Sequence, residues 1–207
     1  GWSQPYLIGA DMIAETPEQL EGYEGEMGNP AKWLYEANES RTIKAWTTGS
    51  AGCVGGWSYC PSTAIWYYAW PATALGKCSV SVWLGYHGFH NLYAIPIPWD
   101  FCAYAGAIAT AKVQVYQQVS YPKYSKFLGE DEHDIINKYA YGLVSFGLLD
   151  GSVQLNTDVN ITSLSQVYIA VSLSLQVAAR GAVSYAELNF QDGAANYVSP
   201  PFIAITY

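Results

Sequence analysis

Glu130, Asp131, Glu132 and Asp134 are the densest carboxylates in the chain. Calcium takes about six to eight oxygen ligands, often from one acidic loop, so this run is the candidate calcium site. The EF-hand spacing is absent, and a solvated loop accounts for the same residues. His87 and His90 would share a face on a helix and could bind a metal, but Gly85, Gly88 and Pro96 place them in a loop without a third ligand. Cys53, Cys60, Cys78 and Cys102 allow three pairings. Cys53 and Cys60 flank a Gly-rich turn, which makes a local disulfide the expected pair and leaves Cys78–Cys102 to join two strands. Four buried thiols are the alternative; zinc is disfavoured because no C-x2-C spacing is present. Glycoside hydrolysis needs two carboxylates about 5–9 Å apart beside a sugar cleft. Asp100, Asp150, Asp158, Glu187 and Asp192 are the candidates. Asp150 and Asp192 precede Gly, which is ordinary turn chemistry, and Glu187 falls within a strand. No G-x-S-x-G, P-loop or H-E-x-x-H is present. The expectation is a protein that is not an enzyme and has no cofactor beyond that calcium.

Aromatic side chains offer the other chemistry. Trp66-Tyr67-Tyr68-Ala69-Trp70, with Trp57, Tyr59 and Trp83, could stack on the apolar faces of sugars. The same run reads as core or subunit interface, because AIWYYAW is too apolar to leave exposed. Asn38-Glu39-Ser40 and Asn160-Ile161-Thr162 are glycosylation sequons.

The elements that must carry these residues are mostly strands. From Gln166 to Ala178, apolar side chains occupy every odd position and small or polar ones every even position. A period of two puts them on opposite faces of one long strand. Shorter alternations cover Ile43–Thr47, Ser79–Gly85, Ala109–Val119, Ser152–Thr162, Ala182–Phe190 and Phe202–Tyr207, and Ala64–Trp70 is apolar on both faces. Residues 120–138 read as a polar connection with a short helix at Asp134–Tyr139. Asp150-Gly151 reads as a hairpin turn. Ahead of the strands, Trp2, Tyr6, Ile8 and Met12 mark an extended arm over residues 1–14. Caps at Thr16-Pro17 and Asn29-Pro30 predict a short helical insert near residues 17–39. The expected fold is all-β: an antiparallel β-sandwich of jelly-roll type, one domain over 15–207, with an extended N-terminal strand.

Composition excludes several partners. Of 207 residues only 13% are charged, and the net charge is −8. Nine Lys and Arg are too few and too scattered to hold nucleic-acid phosphates. The uncharged run Val159–Ala179 carries too many Asn, Ser and Gln for a membrane span, and its period is that of a strand. The start at Gly1 reads as a processed mature chain. Cysteines, sequons and scarce charge together predict an extracellular or cell-surface protein.

Two functions fit. One is a structural subunit that polymerises with copies of itself into a filament, pilus or tube, its arm adding a strand to a neighbour's sheet through Trp2, Tyr6, Ile8 and Met12. The other is a secreted carbohydrate-binding module or lectin whose aromatics stack on surface glycans. The start Gly1-Trp2-Ser3-Gln4-Pro5, the strand 166–178 and the terminal Phe202–Tyr207 resemble the secreted β-sandwich pilins of archaea, of the thread and bundling-pilus type. That resemblance implies donor-strand complementation between subunits.

Overall fold

The computed structural model describes residues 2–3, 6–11, 42–49, 58–72, 74–118 and 125–206. Among the described residues twelve strands are present: β1 (Trp2–Ser3), β2 (Tyr6–Asp11), β3 (Ile43–Thr48), β4 (Ser58–Pro71), β5 (Gly76–Ala94), β6 (Tyr104–Gln118), β7 (Ser125–Ala140), β8 (Leu143–Ile161), β9 (Gln166–Arg180), β10 (Ser184–Phe190), β11 (Tyr197–Val198) and β12 (Phe202–Thr206). All pair antiparallel, in two sheets. In the first sheet β5 is central. β8 runs along one of its edges from Leu143 to Ile161, while β12, β11 and β10 share the other. β3 extends this sheet beyond β10. The second sheet has the order β2-β4-β9-β6-β7.

The strand at 166–178 is β9, and its lack of charge follows from its place. β4 and β6 pair with it on both sides, so it has no edge to guard. Its odd residues, Val167 to Val177, are buried between the sheets. Leu173 stands between Ala64 and Ala111 on the neighbouring strands, and a fully buried Leu contributes about 1.5–3 kcal/mol. Along β6 the inward residues 105, 107, 109 and 111 are all alanine. This thin layer leaves room for Leu84, Leu92 and Phe190 of the opposite sheet in one shared core.

Three expectations are corrected. The polar connection at 120–138 and the helix at 134–139 are replaced, over the described residues, by β7, which pairs with β6 throughout. Asp150-Gly151 does not turn: β8 runs straight through it, opposite His87 and Tyr86. Gly151 lies against the Tyr86 hydroxyl without a left-handed backbone, so here the small residue serves a close approach. Left-handed glycines stand instead at Gly76, Gly142, Gly181 and Gly193, between or at the ends of strands.

The third correction concerns the arm. Trp2 and Ser3 pair with Thr206 and Ile205 of the same molecule, and Tyr6 to Asp11 pair with Ala69 to Ile65 of β4, with a register shift at Ile8. The leading strands are engaged at home, which removes the donated strand on which a filament depended. Met12 and the helical insert near 17–39 lie outside the described residues.

Candidate functional site: an aromatic groove on the second sheet

Register across four strands builds the site. Tyr59 on β4 lies opposite Ala178 on β9, Ala178 opposite Gly106 on β6, and Gly106 opposite Tyr139 on β7. All four belong to the outward positions of their strands, because the alternate residues face the core. The row therefore runs large, small, small, large. Its floor carries one methyl group and one hydrogen, and a tyrosine stands at either side. Tyr104, two residues from Gly106 and on the same face, packs its ring 5.6 Å from that of Tyr139. Gly106 is itself buried, because the Tyr139 and Tyr104 rings lie against it: a Cβ there would be 3.1 Å from the Tyr139 ring. Ile108 and Gln176 complete a hollow of about 100 Å³. Tyr104 also lines a second, wider hollow of about 510 Å³, together with Phe101, Cys102, Tyr141 and Arg180.

The segment 95–103 overhangs this wider hollow and is firmly held. Ile95 N donates to Val183 O at 2.8 Å, and Ile97 and Asp100 exchange backbone bonds at 3.0 and 2.9 Å. The Asp100 carboxylate, 1% exposed, accepts from Ala182 N at 2.7 Å and Cys102 N at 3.3 Å. Gly181 lets Ala103 approach, because a Cβ there would lie 2.7 Å from Ala103 Cα. Cys102 is disulfide-bonded. On this pinned scaffold Trp99 and Phe101 are 77% and 65% exposed, with Tyr139 and Tyr141 exposed beside them. Water-facing aromatic rings on a fixed backbone offer apolar area without an ordering cost at binding. Burial, and then the neighbouring Tyr139, raise the Tyr104 phenol above its usual range, so it stays a neutral donor and acceptor.

The predicted residues scatter. Trp66 and Tyr68 are core, the latter with its hydroxyl donating to Pro201 O at 3.4 Å, whereas Tyr67 between them takes the outward side and is half-buried. Tyr59 reaches the groove, while Trp83 lies on the opposite sheet beside Phe202. Trp57 lies outside the described residues. The expected calcium loop is corrected by β7. Glu130, Glu132 and Asp134 lie opposite Gln114, Lys112 and Thr110, whereas Asp131 turns the other way and accepts from Asn156 N at 2.9 Å. Strand residues two apart are about 7 Å apart and do not converge on one ion; among the described residues no cluster of three metal-ligating groups occurs. His87 faces outward and His90 inward on β5, which parts the histidine pair.

Cys60 and Cys78 are buried thiols outside any disulfide, on inward faces of β4 and β5, so neither Cys53–Cys60 nor Cys78–Cys102 forms. Burial, reinforced by Asp158, pushes the Cys78 thiol up to about 11. Cys53 and Asn38 lie outside the described residues, and Asn160 is exposed on β8. Glu187 does lie in a strand, β10. It and Asp192 share the Lys44 ammonium at 3.8 and 2.8 Å and the Asn189 amide at 3.0 and 2.9 Å. This network lies on the first sheet, away from the groove. Burial and Glu187 also hold the adjacent Tyr185 phenol far above its usual range.

No family model and no curated protein matches the chain. Solved structures it is similar to include the carbohydrate-binding module TmCBM27, described for specific mannan recognition, at 9% identity over 95% of this chain and 99% of that one, with a TM-score of 0.27. TmCBM61 in complex with β-1,4-galactotriose matches at 9% identity over 83% and 71%, with a TM-score of 0.22. A module of Cellvibrio mixtus lichenase 5A in complex with cellotriose matches at 12% identity over 98% of both chains, with a TM-score of 0.19. TM-scores this low leave the functional reading to the chain's own geometry. The filament expectation is corrected by the chain's own pairing: the arm adds its strands inside its own molecule.

Proposed function

We propose that the chain is a non-catalytic carbohydrate-binding module acting outside the cell, with the Tyr59–Tyr104–Tyr139 groove as its glycan site. One observation carries this reading: a floor of Gly106 and Ala178 walled by tyrosines on a pinned sheet. A sugar ring has apolar C–H faces and a rim of hydroxyls. The first pack on aromatic rings, and the second need the phenols of the same tyrosines, the Gln176 amide and the Arg180 guanidinium that line the two hollows. Among the described residues no carboxylate lines either hollow, so they supply no acid pair of the kind glycoside hydrolysis uses. Scarce positive charge favours neutral over anionic glycans. The disulfide at Cys102 and the exposed sequon at Asn160 support an extracellular setting. We read the strand orders β3-β10-β5-β8 and β4-β9-β6-β7 as a jelly roll, an architecture shared by many lectins.

The test is titration calorimetry against soluble neutral polysaccharides: mannan, xylan, galactan and mixed-linkage β-glucan. At least one is expected to bind, and Tyr104→Ala or Tyr139→Ala to weaken it tenfold or more while the far-ultraviolet circular dichroism is unchanged. Binding that survives both substitutions, or no binding to any neutral glycan, overturns the proposal.

A further inference from the structure

The outward face of the first sheet carries a second aromatic array. Along β5 the outward residues include Trp83, His87, Phe89 and Tyr93. Each packs against an aromatic ring on a neighbouring strand. Trp83 lies 5.4 Å from Phe202 and His87 4.9 Å from Tyr197. Phe89 lies 5.7 Å from Phe146, and Tyr93 5.5 Å from Tyr185. Ten residues separate the first ring from the last, a span of roughly 33 Å along one strand. Phe146 and Phe202 are well exposed, so the row is open to water on both flanks.

Polar groups of one kind interleave with the rings. Asn91 lies between Phe89 and Tyr93, and Gln154 lies opposite Trp83. Ser81 donates to Asn156 Oδ1 at 2.8 Å, and Gln154 donates to the same oxygen at 3.2 Å. Among the described residues of this face, four carboxylates stand against two lysines. Lys44 pairs with Asp192 and Glu187, Lys77 with Asp158 at 3.6 Å, and His87 with Asp150 at 3.3 Å. An anionic partner would be repelled by the excess carboxylates, and a cationic one would have to compete with Lys44 and Lys77 for them. A long, uncharged ligand with alternating apolar faces and hydroxyls would use the rings and the amides together and leave the pairs intact.

We infer that this face is a second glycan site, an open track for a linear neutral polysaccharide laid along β5, and that the chain is bivalent. The inference rests on the reading of the chain as a glycan binder. The groove lies on the outer face of the second sheet and the track on the outer face of the first, with the core between them. One molecule then holds two polysaccharide strands on opposite sides and cross-links them.

The experiment uses the full chain and the neutral polysaccharide that binds it. Calorimetric stoichiometry is measured with a hexasaccharide fragment, and cross-linking by light scattering with the polymer. Four proteins are compared: wild type, the groove variant Tyr139→Ala, the face variant Phe146→Ser/Phe202→Ser at exposed positions, and Gln154→Ala as a milder face change. Two sites are expected for the wild type, with scattering that rises on mixing. The face variant is expected to keep one site and lose the rise, the groove variant to do the same, and Gln154→Ala to weaken the second site about tenfold. A single wild-type site abolished by Tyr139→Ala, or a face variant that scatters like wild type, overturns the bivalent assignment and leaves the groove standing. No glycan binding by any of the four proteins overturns both.

Discussion

Asp100 makes the sharpest test of how the site is held. Its carboxylate is 1% exposed and accepts the Ala182 and Cys102 amides at 2.7 and 3.3 Å, tying the segment that carries Trp99 and Phe101 to the turn after β9. In Asp100→Ala both N–H groups lose this acceptor. Both bonds are part-buried, a hydrogen bond to a charged group contributes about 1.5–3 kcal/mol, and the 2.7 Å bond belongs to this stronger, charge-assisted kind. The weaker 3.3 Å bond adds little, so the substitution should cost about 3 kcal/mol. For a chain of this length that is a fall in melting temperature of roughly 6–12 °C. Asp100→Asn keeps the shape and one acceptor oxygen, and should cost about half as much. Urea unfolding gives the stability, and amide hydrogen exchange at residues 97–103 reports the segment itself. Exchange there should quicken in both variants, and glycan affinity should fall with it, because Phe101 is no longer fixed over the wider hollow. An Asp100→Ala protein within about 0.5 kcal/mol of wild type, with unchanged exchange, would show that the carboxylate does not pin the segment.

Other predictions follow from the core and the buried groups. His90 is buried with Ser145 Oγ 3.2 Å from Nε2 and no hydrogen-bond partner at Nδ1, and burial, then Lys138, lowers its pKa below 6.5. The unfolded chain therefore binds a proton that the folded one refuses, so stability should be full above pH 6.5 and decline as pH falls below it; His90→Leu should flatten that slope in urea titrations run from pH 7.5 to 5. Leu173→Ala, at the centre of β9, should cost about 2–5 kcal/mol in the same assay, whereas Ser174→Ala on the outer face should cost under about 0.5 kcal/mol. Thiol labelling without reductant should find Cys60 and Cys78 unreactive in the folded protein and reactive in denaturant, with Cys102 unlabelled in both; protection of Cys60 or Cys78 in denaturant would contradict the assignment. Gly181→Ala should be destabilising, since that residue combines a left-handed backbone at φ 97° with contact against Ala103.

The strands were legible where one face is buried and the other wet. The alternation at 166–178, 79–85 and 152–162 is the direct trace of a two-layer core; β9 and β5 contain the first two stretches, and β8 contains the third up to Ile161. Residues 125–140 misled for a physical reason. β7 is an edge strand whose outward residues, such as Glu130 and Glu132, are exposed and charged, so its sequence carries the polarity of a loop. Asp150-Gly151 misled because a turn dipeptide also fits an edge strand where a small residue meets the Tyr86 hydroxyl. The groove was harder still. Tyr59, Ala178, Gly106 and Tyr139 are far apart in the chain, and only the register of three strand pairs brings them into one row. Tyr59 was singled out from sequence; Tyr104 and Tyr139 were not, because each has an ordinary place in a strand pattern and acquires meaning from its neighbours. The arm failed as a filament element because an extended apolar segment fits its own sheet edge as well as a neighbour's, and here it pairs at home.

Chemical-shift mapping tests the central claim most directly. With the isotope-labelled chain titrated against the neutral oligosaccharide that binds best, the Gly106 and Ala178 amides and the ring signals of Tyr104 and Tyr139 should move together and saturate at the calorimetric affinity. A glycan that binds while Gly106 and Tyr139 stay still would contradict the groove as the site.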